Sequence, residues 1–306
     1  MNYIAFFGAS VTQQKNGYVD KFNNLIQSAN NLPSYQVEKH GYGSMHLCDA
    51  GICFLNNVLV NNPKYLFVDW FVTGWKTNNY NHLSIYLDTI VNKCLINKCI
   101  PIFLILDRTD IENRVEFNNL IKQYVLEYGI HLIEITNCLE QNLILKDSVH
   151  TTEYGSEHYA NIVYNYFLNN IYDKKFNWNK LMQIKPTQYS NIKQINYDNL
   201  VVTKQIYIEG NSEIVGIYQT IGPHSGICEI IYNNELIEKF NMWDQWCNYE
   251  RDNIKLELKI NGNVKINITN ENFDTTEAKL QNINLNKKLI IKTIFYIGDI
   301  SKIEIE

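Results

Sequence analysis

Ser10 closes the turn Gly8-Ala9-Ser10 directly after the apolar run Ile4 to Phe7, and a polar segment leading into a helical pattern follows it. A serine delivered to the end of a strand can act as a nucleophile. It needs an imidazole to accept its proton and a carboxylate to orient that imidazole. The best such pair lies far downstream in Asp147-Ser148-Val149-His150, where a three-residue separation lets carboxylate and ring share one turn. Thr151 and Thr152 follow as good helix caps, so the segment reads as a rigid turn entering a helix. His46, close to the Gly41-Tyr42-Gly43-Ser44 loop, is the second choice for the base. The competing reading of Ser10 is a capping box, Ser10-x-x-Gln13, whose hydroxyl only satisfies backbone N–H groups.

For segments this far apart to meet, the chain between them must return repeatedly to one edge of one sheet. Apolar runs at residues 3–8, 35–39, 65–72, 100–106 and 130–135 read as strands. Between and after them, residues 17–30, 49–62, 83–95, 115–128 and 152–170 carry helical spacing, as in Tyr18, Phe22, Leu25 and Ile26. Alternation of nearly continuous apolar strands with helices predicts an α/β fold with a five-stranded parallel sheet covered on both faces. Right-handed crossovers put the strand ends on one side, where ligands bind in such sheets. That edge gathers Ser10, Gly43, Thr73 to Lys76, Asp107 to Asp110 and the Asp147/His150 turn.

Beyond Lys174 the pattern changes to short alternating runs separated by Asn, Gly and Asp turns, for example Ile254 to Ile260. This predicts an all-β domain of the sandwich or jelly-roll type. The expected organisation is an α/β domain over residues 1–175, a linker over 176–195 and a β domain over 196–306. Residues 240–251 form the densest aromatic stretch, suited to packing between sheets or to the face of a sugar ring.

Composition removes several classes. The chain has 306 residues, a net charge of -5 and no long Lys/Arg block, so no nucleic-acid partner is expected. No run approaches the ~18 apolar residues of a membrane span, and the N-terminus has no basic region ahead of a signal-like stretch. The expected location is cytoplasmic. Seven cysteines, an odd number without a C-x-x-C pair, fit free thiols rather than a disulfide framework or a zinc site. No metal or organic cofactor is implied, and nothing sets the oligomeric state.

The first ~175 residues resemble the SGNH hydrolases of the GDSL-like superfamily. Gly8-Ala9-Ser10 resembles the first block, with Ala9 where Asp usually stands. Gly43 resembles the glycine of the second block, and Asp147-Ser148-Val149-His150 resembles the final Asp-x-x-His block. The resemblance implies a flavodoxin-like α/β/α three-layer sandwich. It also implies a Ser10–His150–Asp147 triad and an oxyanion hole containing the Ser10 and Gly43 amides. The third block departs from the pattern. The family's Gly-x-Asn-Asp falls where this chain reads Phe71-Val72-Thr73-Gly74-Trp75-Lys76-Thr77-Asn78, without Asn at the expected offset. Thr73 or Asn78 stands in for it, or the hole rests on two amides.

The resulting expectation is a serine esterase that removes a small O-acyl group, O-acetyl in the first instance, from a carbohydrate or other acylated small molecule. The alternatives are a sugar O-acyltransferase using the same residues and a non-catalytic glycan-binding protein on this scaffold. Gln14, Trp75 and Arg108 flank the expected pocket and are candidate substrate-binding residues. Asp69 interrupts the third strand. A carboxylate there must be paired, with Lys76 or Arg108 as the expected partner.

Overall fold

A computed structural model describes residues 2–73, 82–110, 114–136, 141–244, 247–271 and 286–306. In chain order its first part contains β1 (Asn2–Gly8), α1 (Ser10–Gln13), α2 (Tyr18–Ser28), β2 (Tyr35–Gly41), α3 (Ala50–Cys53), α4 (Leu55–Val58) and β3 (Tyr65–Val68). It continues with α5 (Leu83–Ile96), β4 (Ile100–Ile105), α6 (Arg114–Tyr128), β5 (His131–Glu134), α7 (Gln141–Ile144) and α8 (Glu153–Tyr166). The five strands pair in parallel in the order β2-β1-β3-β4-β5. This is the doubly wound α/β arrangement expected from the alternating pattern. β3 and β4 are buried along their whole length, which is why they read as uninterrupted apolar runs. Phe6 of β1 stacks on Phe67 of β3 with centroids 4.5 Å apart, and Phe22 of α2 meets Phe6 edge-on at 5.0 Å.

The strand ends are in register. Gly8 pairs with Gly41, Phe7 with Val68, Val68 with Phe103, and Ile105 with Glu134. The loops after β1, β2, β3 and β4 therefore leave the sheet at one edge. Two elements differ from the sequence reading. The third strand stops at Val68, because Asp69 turns out of the ladder and Trp70–Val72 form a buried 3-10 turn. The helix expected over 49–62 is two short helices that meet at Phe54.

Contacts divide the chain into Met1–Ser190 and Asn191–Glu306. The segment read as a linker belongs in large part to the first unit. Leu181 and Ile184 are buried, Asn92 of α5 donates to the Ile184 carbonyl at 3.3 Å, and the Thr89 and Thr187 hydroxyls lie 2.6 Å apart. No helix among the described residues is long and apolar enough to cross a membrane.

The second unit is all β: β6 (Lys193–Val202), β7 (Gln205–Ile221), β8 (Ile227–Tyr232), β9 (Glu235–Asn241), β10 (Arg251–Lys255), β11 (Leu258–Ile268) and β12 (Leu289–Ile305). Its strands form one antiparallel network in the order β6-β12-β7-β11-β8-β9, with β10 also on β7. Alternate residues such as Ile206, Ile208, Ile230, Val264, Ile266 and Ile294 fill a single core. The run 254–260, which alternates as one strand, is broken at Leu256. This residue is buried at φ 67° between β10, which pairs with Ile217 to Ile221, and β11, which pairs with Gln205 to Ile214. In the aromatic stretch Met242 and Trp243 are buried, while Gln245 and Trp246 lie outside the described residues.

Candidate active site

Ser10 is the first residue of α1, with Ala9 in the cap position and no side-chain cap bond. The capping-box reading is thereby replaced. The hydroxyl instead meets Nε2 of His150 at 2.9 Å. On the other side of the ring, Nδ1 lies 2.8 Å from Oδ2 of Asp147. A carboxylate can only accept, so Nδ1 carries the proton and Nε2 is left to accept from Ser10. The chain is therefore wired Asp147–His150–Ser10 in the sense that draws a proton off the serine.

The Asp147 turn is held from within. Oδ1 accepts the N–H groups of Val149 and His150 at 2.8 and 2.7 Å. Partial burial works against ionisation of Asp147, but those two N–H groups and the His150 ring outweigh it, and the carboxyl sits below its ordinary range. The Lys146 N–H donates to the His150 carbonyl, and Leu145 bridges Thr151, so residues 145–151 form a closed loop. Thr152 then caps α8 by accepting from the Gly155 N–H at 2.9 Å. A side chain at Gly155 would strike the Ile144 carbonyl at 2.0 Å, so this close approach requires glycine.

Gln14 and Arg108 sit at this edge with their polar atoms engaged by the protein. Gln14 donates from Nε2 to the Thr151 carbonyl at 2.8 Å and accepts from the Thr151 N–H and hydroxyl at 3.2 and 3.3 Å. It couples the segment after Ser10 to the residue after His150. Arg108 donates to the Val72 carbonyl at 2.9 Å and forks onto Asp110 at 2.6 and 3.2 Å. The neighbouring Thr109 N–H donates to the Ser148 carbonyl at 2.9 Å. The Asp110 carboxyl is held below its usual range, chiefly by Arg108. Both side chains brace loops of the site, where the sequence placed them as substrate contacts.

Gly43 lies beside Ser10. A Cβ built there would be 3.8 Å from Ser10 Cβ and 2.4 Å from Oε1 of Gln13. Gln13, seen in the sequence only as a capping partner, thus reaches the same spot. Thr73 donates its hydroxyl to the Met45 and Trp70 carbonyls at 3.2 and 3.3 Å, and its N–H to Trp70 at 3.0 Å. Gly74, Trp75, Lys76 and Asn78 lie outside the described residues. His46 faces Asp49 at 3.2 Å, and the Asp49 carboxylate accepts the His46 N–H at the start of α3.

Asp69 has partners other than those expected. Fully buried, it accepts the Ala9 N–H at 3.0 Å, the Thr12 hydroxyl at 2.5 Å and the Tyr18 hydroxyl at 3.1 Å. Burial pushes its carboxyl from 3.8 up to about 6, against the pull of these three donors. Neither Arg108 nor Lys76 is needed to explain it. Its Ala9 bond could not be read from the sequence, because donor and acceptor are 60 residues apart.

An α/β domain with Asp147, His150 and Ser10 hydrogen-bonded in series at the carboxyl edge of its sheet is followed by an all-β unit. Comparison with solved structures agrees. A two-domain esterase active on acetylated mannans, solved with mannopentaose, matches with a TM-score of 0.67 over 97% of this chain and 91% of its own, at 12% identity. The lipase/acylhydrolase from Enterococcus faecalis matches with a TM-score of 0.50 over 57% of this chain and all of its own, at 15% identity. Likeness at such identities establishes the fold. No family model and no curated protein matches the chain.

Proposed function

We propose that the chain is a serine esterase that removes a small O-acyl group, O-acetyl in the first instance, from a carbohydrate. The observation that carries this reading is the continuous relay from Asp147 through His150 to Ser10, at 2.8 and 2.9 Å. In the proposed reaction His150 Nε2 takes the hydroxyl proton as Ser10 Oγ adds to the ester carbonyl. The imidazolium, held by Asp147, then protonates the departing sugar oxygen. Water, activated by the same ring, attacks the acyl-serine and releases the acid. The Ser10 N–H, in the first turn of α1 where helical acceptors are lacking, and the Gly43 N–H are assigned to the developing oxyanion. Among the described residues the donors of Thr73 are bonded to carbonyls, so the hole is assigned to those two amides, while Asn78 lies outside the described residues.

The carbohydrate part of the reading draws on the fold likeness to an esterase active on acetylated mannans, which extends over both units of the chain. The test is hydrolysis of p-nitrophenyl acetate and of acetylated manno- and xylo-oligosaccharides by the wild type and Ser10→Ala. Acetate release by the wild type alone is the expected result. Acyl transfer to a sugar acceptor without acetate release would replace the esterase by a transferase. Glycan binding that survives Ser10→Ala, with no turnover in either protein, would replace it by a binding protein.

A further inference from the structure

The three donors on Asp69 all belong to the segment that presents Ser10. The Ala9 N–H lies immediately before the nucleophile, Thr12 sits two residues after it on α1, and Tyr18 opens α2. The Thr12 and Tyr18 hydroxyls also contact each other at 3.1 Å. The Asp69 N–H in turn donates to the Phe7 carbonyl of β1 at 3.1 Å. Room for the carboxylate is made by Gly8, where a Cβ would fall 1.2 Å from Oδ1. Any side chain at residue 8 would expel the carboxylate, so glycine and acid form one device.

All three hydrogen-bond partners of Asp69 are neutral. The titratable group that faces it is Tyr18, whose phenol is pushed well above its ordinary value by burial and by Asp69 itself. Tyr159 of α8 stands behind Tyr18, with ring centroids 6.3 Å apart. A buried carboxylate without a cation is costly to maintain, and hydrogen bonds to its charged form are about twice as strong as neutral ones.

We propose that ionised Asp69 is a positioning residue for Ser10, and that its protonation loosens the turn between β1 and α1 and switches the nucleophile off. The inference rests on the reading of Ser10 as nucleophile. Protonation removes the charge that the Ala9 N–H, the Thr12 hydroxyl and the Tyr18 hydroxyl all address. Thr12 and Tyr18 can rotate to accept, but the Ala9 N–H cannot, so the weakened bond is the one next to Ser10.

The experiment is the pH profile of kcat/KM for p-nitrophenyl acetate with wild type, Ser10→Ala, Asp69→Asn and Tyr18→Phe. Full activity needs both His150 and Asp69 deprotonated, so the wild-type acid limb should steepen beyond a slope of about one, toward about two, on logarithmic axes. Asp69→Asn should show a slope of about one, with kcat at neutral pH lower by about 10–100-fold and KM little changed. Tyr18→Phe removes one donor from the carboxylate and should move the limb to higher pH, a readout that stands even if Asp69→Asn does not fold. A wild-type slope of one, wild-type kcat in Asp69→Asn, or an unmoved limb in Tyr18→Phe overturns the assignment of Asp69 alone. Residual wild-type turnover in Ser10→Ala overturns the nucleophile and, with it, this inference.

Discussion

Asp147→Asn probes the relay at its most exposed member. The asparagine oxygen can keep the two N–H bonds from Val149 and His150 that close the turn. Its NH2 then faces Nδ1 and drives the ring to the tautomer with the proton on Nε2. A donor now points at Ser10, and the base is gone. In a buried triad this change lowers turnover by about 10⁴-fold. Here the Asp147 side chain is 49% exposed and that of His150 is 30% exposed, so water screens the pair and can compete for the ring. We therefore expect a loss of about 10²–10³-fold in kcat/KM, equivalent to about 3–4 kcal/mol of transition-state stabilisation.

The assay is p-nitrophenyl acetate hydrolysis well above the ordinary histidine pKa of ~6.5, with thermal unfolding measured alongside. The sign of the stability effect follows from the lowered Asp147 carboxyl. Its stabilisation is present above the unfolded pKa and is lost as pH falls through the lower folded value. In so exposed a geometry the fall in Tm at neutral pH should stay under about 3 °C. A rate loss of less than about tenfold in a folded variant would refute the tautomer argument and leave His150 without need of its carboxylate.

Gln14→Leu removes three hydrogen bonds to buried Thr151 and should destabilise the first unit by about 1–3 kcal/mol in chemical denaturation. Its kcat should fall with KM unchanged; a raised KM at constant kcat would restore Gln14 to the substrate contacts. Asp69 has the opposite stability sign from Asp147. Its carboxyl is raised in the fold from 3.8 to about 6, so ionisation opposes folding by about 3 kcal/mol at neutral pH, relieved as pH falls from about 6 toward 3.8. The Tm of Asp69→Asn relative to wild type should therefore be higher near neutrality than in acid, and a gap independent of pH would contradict the buried ionised carboxylate.

Much of this protein is written in local pattern. Strands such as Ile100–Ile105 are uniformly apolar because both faces are covered, and the α/β alternation follows from periodicity alone. The pairing of Asp147 with His150 was equally legible, because three residues of chain suffice to bring the groups together. Tertiary structure decided everything that depends on one segment meeting another. Gln14 and Arg108 looked like ligand-facing groups at a loop edge, yet Gln14 is bonded to the main chain and hydroxyl of Thr151, and Arg108 to the Val72 carbonyl and the Asp110 carboxylate. Asp69 looked like a charge seeking a cation and found instead an N–H and two hydroxyls around the Ser10 turn. The break at Leu256 is of the same kind, because the alternating run on either side reads as one strand until both halves are placed along β7. Periodicity reports which face of an element is buried. Hydrogen-bond partners and strand register depend on which main-chain atoms the folded chain brings within about 3 Å, and only the assembled sheet edge determines that.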